Sequence, residues 1–74
     1  MADQVLDATG LKCPMPVLRA RRTLKAMPSG SLLELHADDP ASAKDVPAFC
    51  QMSGDTLEDT GHDGDTLIFY IRKA

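Results

Sequence analysis

Cys13 stands in the run Lys12-Cys13-Pro14-Met15-Pro16-Val17, where a turn gives way to a basic amphipathic helix. Proline is tolerated in the first turn of a helix, whose N–H groups lack partners within the helix, and is costly further in. Two prolines spaced by one residue and followed by Val17, Ala20, Leu24 and Met27 therefore predict a helix from about Pro14 to Met27. Cys13 becomes its N-cap or the neighbour of the N-cap. A thiol there faces free N–H donors and the positive end of the helix dipole, which favour thiolate over thiol. The chemistry expected is that of one reactive sulfur, with Pro14 and Pro16 shaping its helix start.

The remaining candidates are weaker. Cys50 lies between Phe49 and Met52 on the core side of a second helix, where a cysteine packs as a small inert hydrophobe. Its alternative role is a resolving thiol that forms a reversible disulfide with Cys13, which would make the chain a redox or regulatory module. His36 reads as a solvent-side strand residue and His62 as a turn residue. No C-x-x-C and no paired ligand spacing joins these histidines to the cysteines, so a metal site is disfavoured.

On a helical wheel of about 100° per residue, Val17, Ala20, Leu24 and Met27 share one apolar arc. Met15, Leu18, Arg19 and Arg22 fall on the other side, and Arg21 lies at the margin. An exposed Met and Leu among arginines, one turn from the sulfur, predict a protein-docking patch of Lys12, Met15, Leu18, Arg19, Arg21 and Arg22.

Five of the chain's 8 basic residues lie between Lys12 and Lys25, and no acid occurs from position 8 to position 33. The net charge is nevertheless −3, because the centre and C-terminal part are acidic. One positive helix on an acidic domain favours oriented docking over general affinity for nucleic acid. Two Phe, one Tyr and no Trp also leave few platforms for stacking bases. Two cysteines do not make a disulfide scaffold, and no leader or membrane-length apolar run is legible, so a reduced cytoplasmic protein is expected.

The 74 residues suit one small domain, residues 1–74. Strands are expected at Gln4–Ala8, at Ser31–Asp38 with Leu33, Leu35 and Ala37 on one face, at Thr56–Thr60 as a weak edge, and at Thr66–Arg72 with Leu67, Phe69 and Ile71 inward. Ile68 and Tyr70 then point away from the helices. Pro28-Ser29-Gly30 stops the first helix, and Asp38-Asp39-Pro40-Ala41 is a turn. Ser42 with Asp45 resembles a capping box that opens a second helix, in which Pro47 falls early enough to be tolerated and which Gly54 ends. Gly61-His62-Asp63-Gly64 should turn the last hairpin. The order βαβαββ, with a right-handed parallel crossover first, gives an α/β (α+β) two-layer sandwich. Its four-stranded mixed sheet carries two helices packed on one face.

Three segments also carry a family likeness: Leu6-Asp7-Ala8-Thr9-Gly10-Leu11-Lys12-Cys13-Pro14-Met15-Pro16, Asp38-Asp39-Pro40-Ala41, and Asp45-Val46-Pro47-Ala48-Phe49-Cys50. With its C-P-x-P motif after a short strand and its D-D-P-A segment, the chain resembles the TusA (SirA-like) sulfur-carrier family over essentially its whole length. The resemblance implies the sandwich just inferred. It also implies that Cys13 accepts sulfane sulfur as a persulfide from a cysteine desulfurase or a rhodanese-like protein, then relays it to an acceptor protein's cysteine. In that family the relay serves tRNA 2-thiouridine formation, molybdenum-cofactor synthesis or sulfur oxidation. No cofactor is implied, and the role is that of a stoichiometric carrier. Met15 occupies the variable place of the motif, where several relatives have Glu, and Cys50 matches a second cysteine that is not the carrier.

Overall fold

In a computed structural model, which describes residues 2–74, the chain runs β1 (Gln4–Asp7), α1 (Met15–Lys25), β2 (Leu32–Ala37), α2 (Ser42–Ser53), β3 (Thr56–Asp63), β4 (Thr66–Arg72). Residue 1, the first of the expected domain, lies outside the described residues. The four strands form one mixed sheet in the order β1-β2-β4-β3. β1 pairs parallel with β2, and β4 pairs antiparallel with both β2 and β3. The expected βαβαββ sandwich is the observed one.

Period-2 alternation decides which side of the sheet is dry. Leu33, Leu35 and Ala37 of β2 and Phe69 and Ile71 of β4 are buried against Ala20, Leu24 and Met27 of the first helical segment and Val46 and Cys50 of α2. Glu34, His36, Ile68 and Tyr70 line the other face half-exposed, with His36 hydrogen-bonded to Glu34. Fully burying a Leu, Ile, Val or Phe side chain contributes about 1.5–3 kcal/mol, so this one-sided core is what holds both helices to the sheet.

Three boundaries differ from expectation by more than one residue. α1 ends at Lys25, and a tightened turn follows, with Ala26 N–H on Thr23 O and Met27 N–H on Leu24 O, both at 3.1 Å. Met27 still reaches the core from outside the helix. β3 continues through Gly61, His62 and Asp63, so His62 is a strand residue opposite Leu67. The hairpin turn is Gly64-Asp65, and Gly64 takes the positive φ (60°) that a two-residue turn demands of its first residue. The longer β3 is held by ladder bonds to β4, the strand with the strongest apolar alternation, which offset the poor strand propensity of its Gly and Asp residues. A bulge between Leu57 and Asp59 leaves Glu58 free to grip Arg72, which donates Nε–H at 2.9 Å and Nη2–H at 3.0 Å.

α2 carries Pro47 without a break and ends at Gly54, whose left-handed φ of 87° accommodates the cap that donates to Cys50 O. Its start is not the expected capping box. The N-cap is Ala41, Ser42 is buried inside the first turn, and Asp45 has turned elsewhere. The loop's own carbonyls wind that first turn instead, with Ser42 N–H on Asp39 O at 2.9 Å and Asp45 N–H on Ala41 O at 3.0 Å.

Candidate functional site

The β1–α1 loop delivers Cys13, and the two aspartates of the β2–α2 loop hold it there. Asp38 Oδ1 accepts Gly10 N–H at 3.0 Å. Asp39 Oδ2 accepts Cys13 N–H at 2.6 Å while its Oδ1 accepts Ala41 N–H at 3.1 Å. One carboxylate thus ties the cysteine's backbone to the start of α2. Both backbone donors lower the Asp39 pKa from its ordinary value, the Cys13 N–H contributing most and Lys12 adding a smaller attraction. On the β1 side, Asp7 accepts the Thr9 hydroxyl at 2.6 Å and its N–H at 3.0 Å, which bends the chain out of the strand.

Pro14 is the N-cap of α1 and Cys13 its neighbour, as the two prolines predict; Pro16 is buried beneath the helix and the Cys13–Pro14 peptide is cis. The Cys13 thiol is exposed, and its Sγ–H donates to Asp45 Oδ2 at 2.9 Å across the gap to α2.

That contact reverses the expected electrostatics. The thiol pKa is raised, first by its hydrogen bond to the Asp45 carboxylate, then by partial desolvation and by the charges of Asp45 and Asp39. Few of the donors of the helix start remain open, Val17 N–H being the one without a backbone partner. Met15 N–H is bonded to Lys12 O at 2.8 Å, Leu18 N–H to Pro14 O at 3.1 Å, and position 16 is a proline with no N–H to give. The end charge of a helix resides on its unsatisfied N–H groups, and here two of the first four are bonded and one is missing, which leaves the Asp45 carboxylate as the group bonded to the sulfur. The expected direction is therefore corrected: the Asp45 carboxylate accepts the Cys13 Sγ–H and favours thiol over thiolate.

Cys13 sits at the mouth of an open groove of about 570 Å³ between α1 and α2. Pro14, Val17, Leu18 and Arg21 line it from α1 and its cap; Asp45, Ala48, Phe49, Met52 and Ser53 line it from α2. Of the docking residues predicted from sequence, Leu18 and Arg21 are brought into this groove beside the sulfur. Lys12, Met15, Arg19 and Arg22 are exposed but do not line it. Leu18 is 46% and Met52 is 89% exposed, so the groove offers large apolar side chains to solvent. Sequence reasoning missed the whole α2 wall. Asp39, Asp45, Phe49 and Met52 were each in view, and the D-D-P-A segment was the available signal that this loop belongs to the site.

Cys50 stands apart. It is 4% exposed within the core, and burial pushes its thiol up to about 11. Five residues beyond Asp45, it lies about 140° around α2 and about 7.5 Å along it, away from the side that reaches Cys13.

Comparison with known proteins bears on the same residues. The family model described as Sulfurtransferase TusA matches residues 4–73. A sulfur carrier protein TusA of Allochromatium vinosum is 47% identical over 72 residues, covering 97% of this chain and 95% of that protein. A putative sulfur carrier protein YrkI of Bacillus subtilis is 40% identical over 99% of this chain and 97% of its own length. Among solved structures, a SirA-like protein from Desulfitobacterium hafniense superposes with a TM-score of 0.80, covering 93% of this chain and 95% of its own, at 24% identity, a likeness of fold. With a cysteine presented before two prolines, an aspartate pair clasping its loop and a match that spans nearly every residue, the chain belongs to the TusA family.

Proposed function

We propose that this protein is a sulfur carrier that bears one sulfane sulfur at a time on Cys13. The observation that carries the reading is the contrast between the two thiols. Cys13 is exposed at the mouth of an apolar groove on a loop pinned by Asp38 and Asp39, whereas Cys50 is sealed in the core. The naming of its relatives as sulfur carriers supports it.

The reaction is a thiol exchange without net redox change. Cys13 sulfur attacks the terminal sulfur of a donor protein's persulfide, the donor's S–S bond breaks, and a Cys13 persulfide forms. The proton lost from Cys13 ends on the departing donor thiolate. The reverse sequence delivers the sulfur to an acceptor cysteine. Every transfer thus needs a partner protein against the groove: a cysteine desulfurase or rhodanese-like donor, then an acceptor. Leu18 and Arg21 form the centre of the docking surface, with Lys12, Met15, Arg19 and Arg22 around it. No cofactor enters these steps, and the carrier works stoichiometrically. A free, unpaired Cys13 suits the reducing cytoplasm.

Incubation with a cysteine desulfurase and cysteine, followed by a persulfide-trapping alkylator and intact-mass measurement, should add the mass of one sulfur to Cys13. The Cys13→Ser protein should acquire none. Labelling that persists in Cys13→Ser overturns the reading. The rival disulfide module gains no support from a Cys50 that is buried and on the far flank of α2.

A further inference from the structure

We propose that Asp45 is a positioning residue that keeps Cys13 a protonated, restrained thiol while the carrier is free, so that the sulfur becomes a nucleophile only when a docked partner neutralises the acids around it. The proposal rests on the sulfur-carrier reading and adds what governs its timing.

Three features of the site converge on it. Asp45 projects from α2 and accepts the Sγ–H at 2.9 Å, a contact between residues 32 positions apart that exists only because the two helices are packed together. Asp45 is free for it because the first turn of α2 is wound by the carbonyls of Asp39, Pro40 and Ala41, which leaves no N-terminal N–H for the side chain to cap. Asp39 adds a second carboxylate from the β2–α2 loop, held by the Cys13 N–H itself. The groups facing the sulfur are thus two acids from α2 and its preceding loop, Lys12 on the cysteine's own loop, and Arg21 on the groove wall of α1. The two acids both disfavour the anion of the thiol, Asp45 most through its hydrogen bond.

An anionic thiolate or persulfide between Asp39 and Asp45 is a like-charge arrangement, and like charges in one site raise the pKa of the last group to ionise. A partner surface that brings a lysine or arginine to this mouth reverses that sign. A carrier whose thiol is quiet in solution is also spared oxidation and off-target exchange, since thiolate fraction governs both. The groove fits this order of events, because its apolar lining must be covered before the mouth loses its water.

The test uses the free protein, with no donor present. The rate of Cys13 alkylation by iodoacetamide is followed against pH by mass spectrometry, in the native chain, in Asp45→Asn and in Asp65→Asn, a control in the β3–β4 turn. The native midpoint should lie above the ordinary thiol value of about 8.5, Asp65→Asn should match it, and Asp45→Asn should fall below it. For each unit of fall, the thiolate fraction near neutrality rises tenfold and its intrinsic nucleophilicity drops about threefold, so alkylation near pH 7 should accelerate about threefold. A native midpoint at or below about 8.5 overturns the proposal even if the variant does not fold. So does a folded Asp45→Asn with an unmoved midpoint. Failure here leaves the persulfide assay on Cys13 standing, and failure of that assay leaves this titration interpretable.

Discussion

Cys13 and Cys50 carry the same functional group, and their surroundings give them opposite accessibility. Cys50 has no charge-stabilising partner and is pushed up to about 11 by burial among apolar side chains. Near pH 8 its thiolate is about one part in a thousand, and the packed core denies a reagent access even to that fraction. Iodoacetamide at that pH should therefore label Cys13 alone in the folded protein, with Cys50 reacting only after denaturant is added; two labels in the native state would show the core assignment to be wrong. The residue scale is also where the sequence was most and least legible. That Cys13 stands exposed beside a helix N-cap could be read from Pro14, Pro16 and the apolar spacing behind them, which are local. Its protonation could not, because the carboxylate that sets it arrives from 32 positions away.

At the scale of elements, the site depends on how one loop is tied to another. Asp39 receives two backbone N–H groups, one from the α1 approach and one from the start of α2, so its charged form is worth more in the folded state than in the unfolded chain. Its folded pKa is depressed. Its contribution to stability is therefore fully present above the ordinary carboxylate value of about 3.9 and is lost as pH falls through the lower folded value. Asp39→Asn should lower the urea midpoint near pH 6, and the gap from the native protein should narrow progressively as the pH is taken below about 3.9, by circular dichroism across the series. A gap that is constant with pH would mean that Asp39 acts by shape and not by charge. Asp7 and Glu58, depressed by Thr9 and Arg72, lose their contributions over the same range, so the native protein itself should weaken there. Element order and the inward faces of β2 and β4 were legible from periods in the chain, and the β1–β2 and β3–β4 pairings from their connections; the β2–β4 pairing that joins the two halves was not. The capping box at Ser42 and Asp45 and the short β3 were misread because tertiary partners outweighed the local preference: a cysteine for Asp45, and the ladder of β4 for Gly61, His62 and Asp63.

Across the whole molecule, the two helices that cover one face of the sheet also create the groove, so the surface offered to a partner and the layer that stabilises the fold are built from the same elements. The two roles separate side chain by side chain. Leu24, Ala20, Val46 and Cys50 are buried against the sheet, while Leu18 and Met52 line the groove and remain exposed. Met52, at 89% exposure in the last turn of α2, gives up almost no burial if it is replaced. Met52→Ser should therefore change folding stability by about 0.5 kcal/mol or less. Serine is neutral, so the titration of Cys13 should not move either. What should change is transfer from the donor: an apolar side chain that anchors a docked partner carries about 1–2 kcal/mol, so sulfur loading at limiting carrier concentration should slow about tenfold and recover as the carrier is raised towards saturation. A loading rate that is unchanged at limiting carrier, with stability and Cys13 alkylation equal to the native protein, would place the partner on another surface, such as the Glu34, His36, Ile68 and Tyr70 side of the sheet.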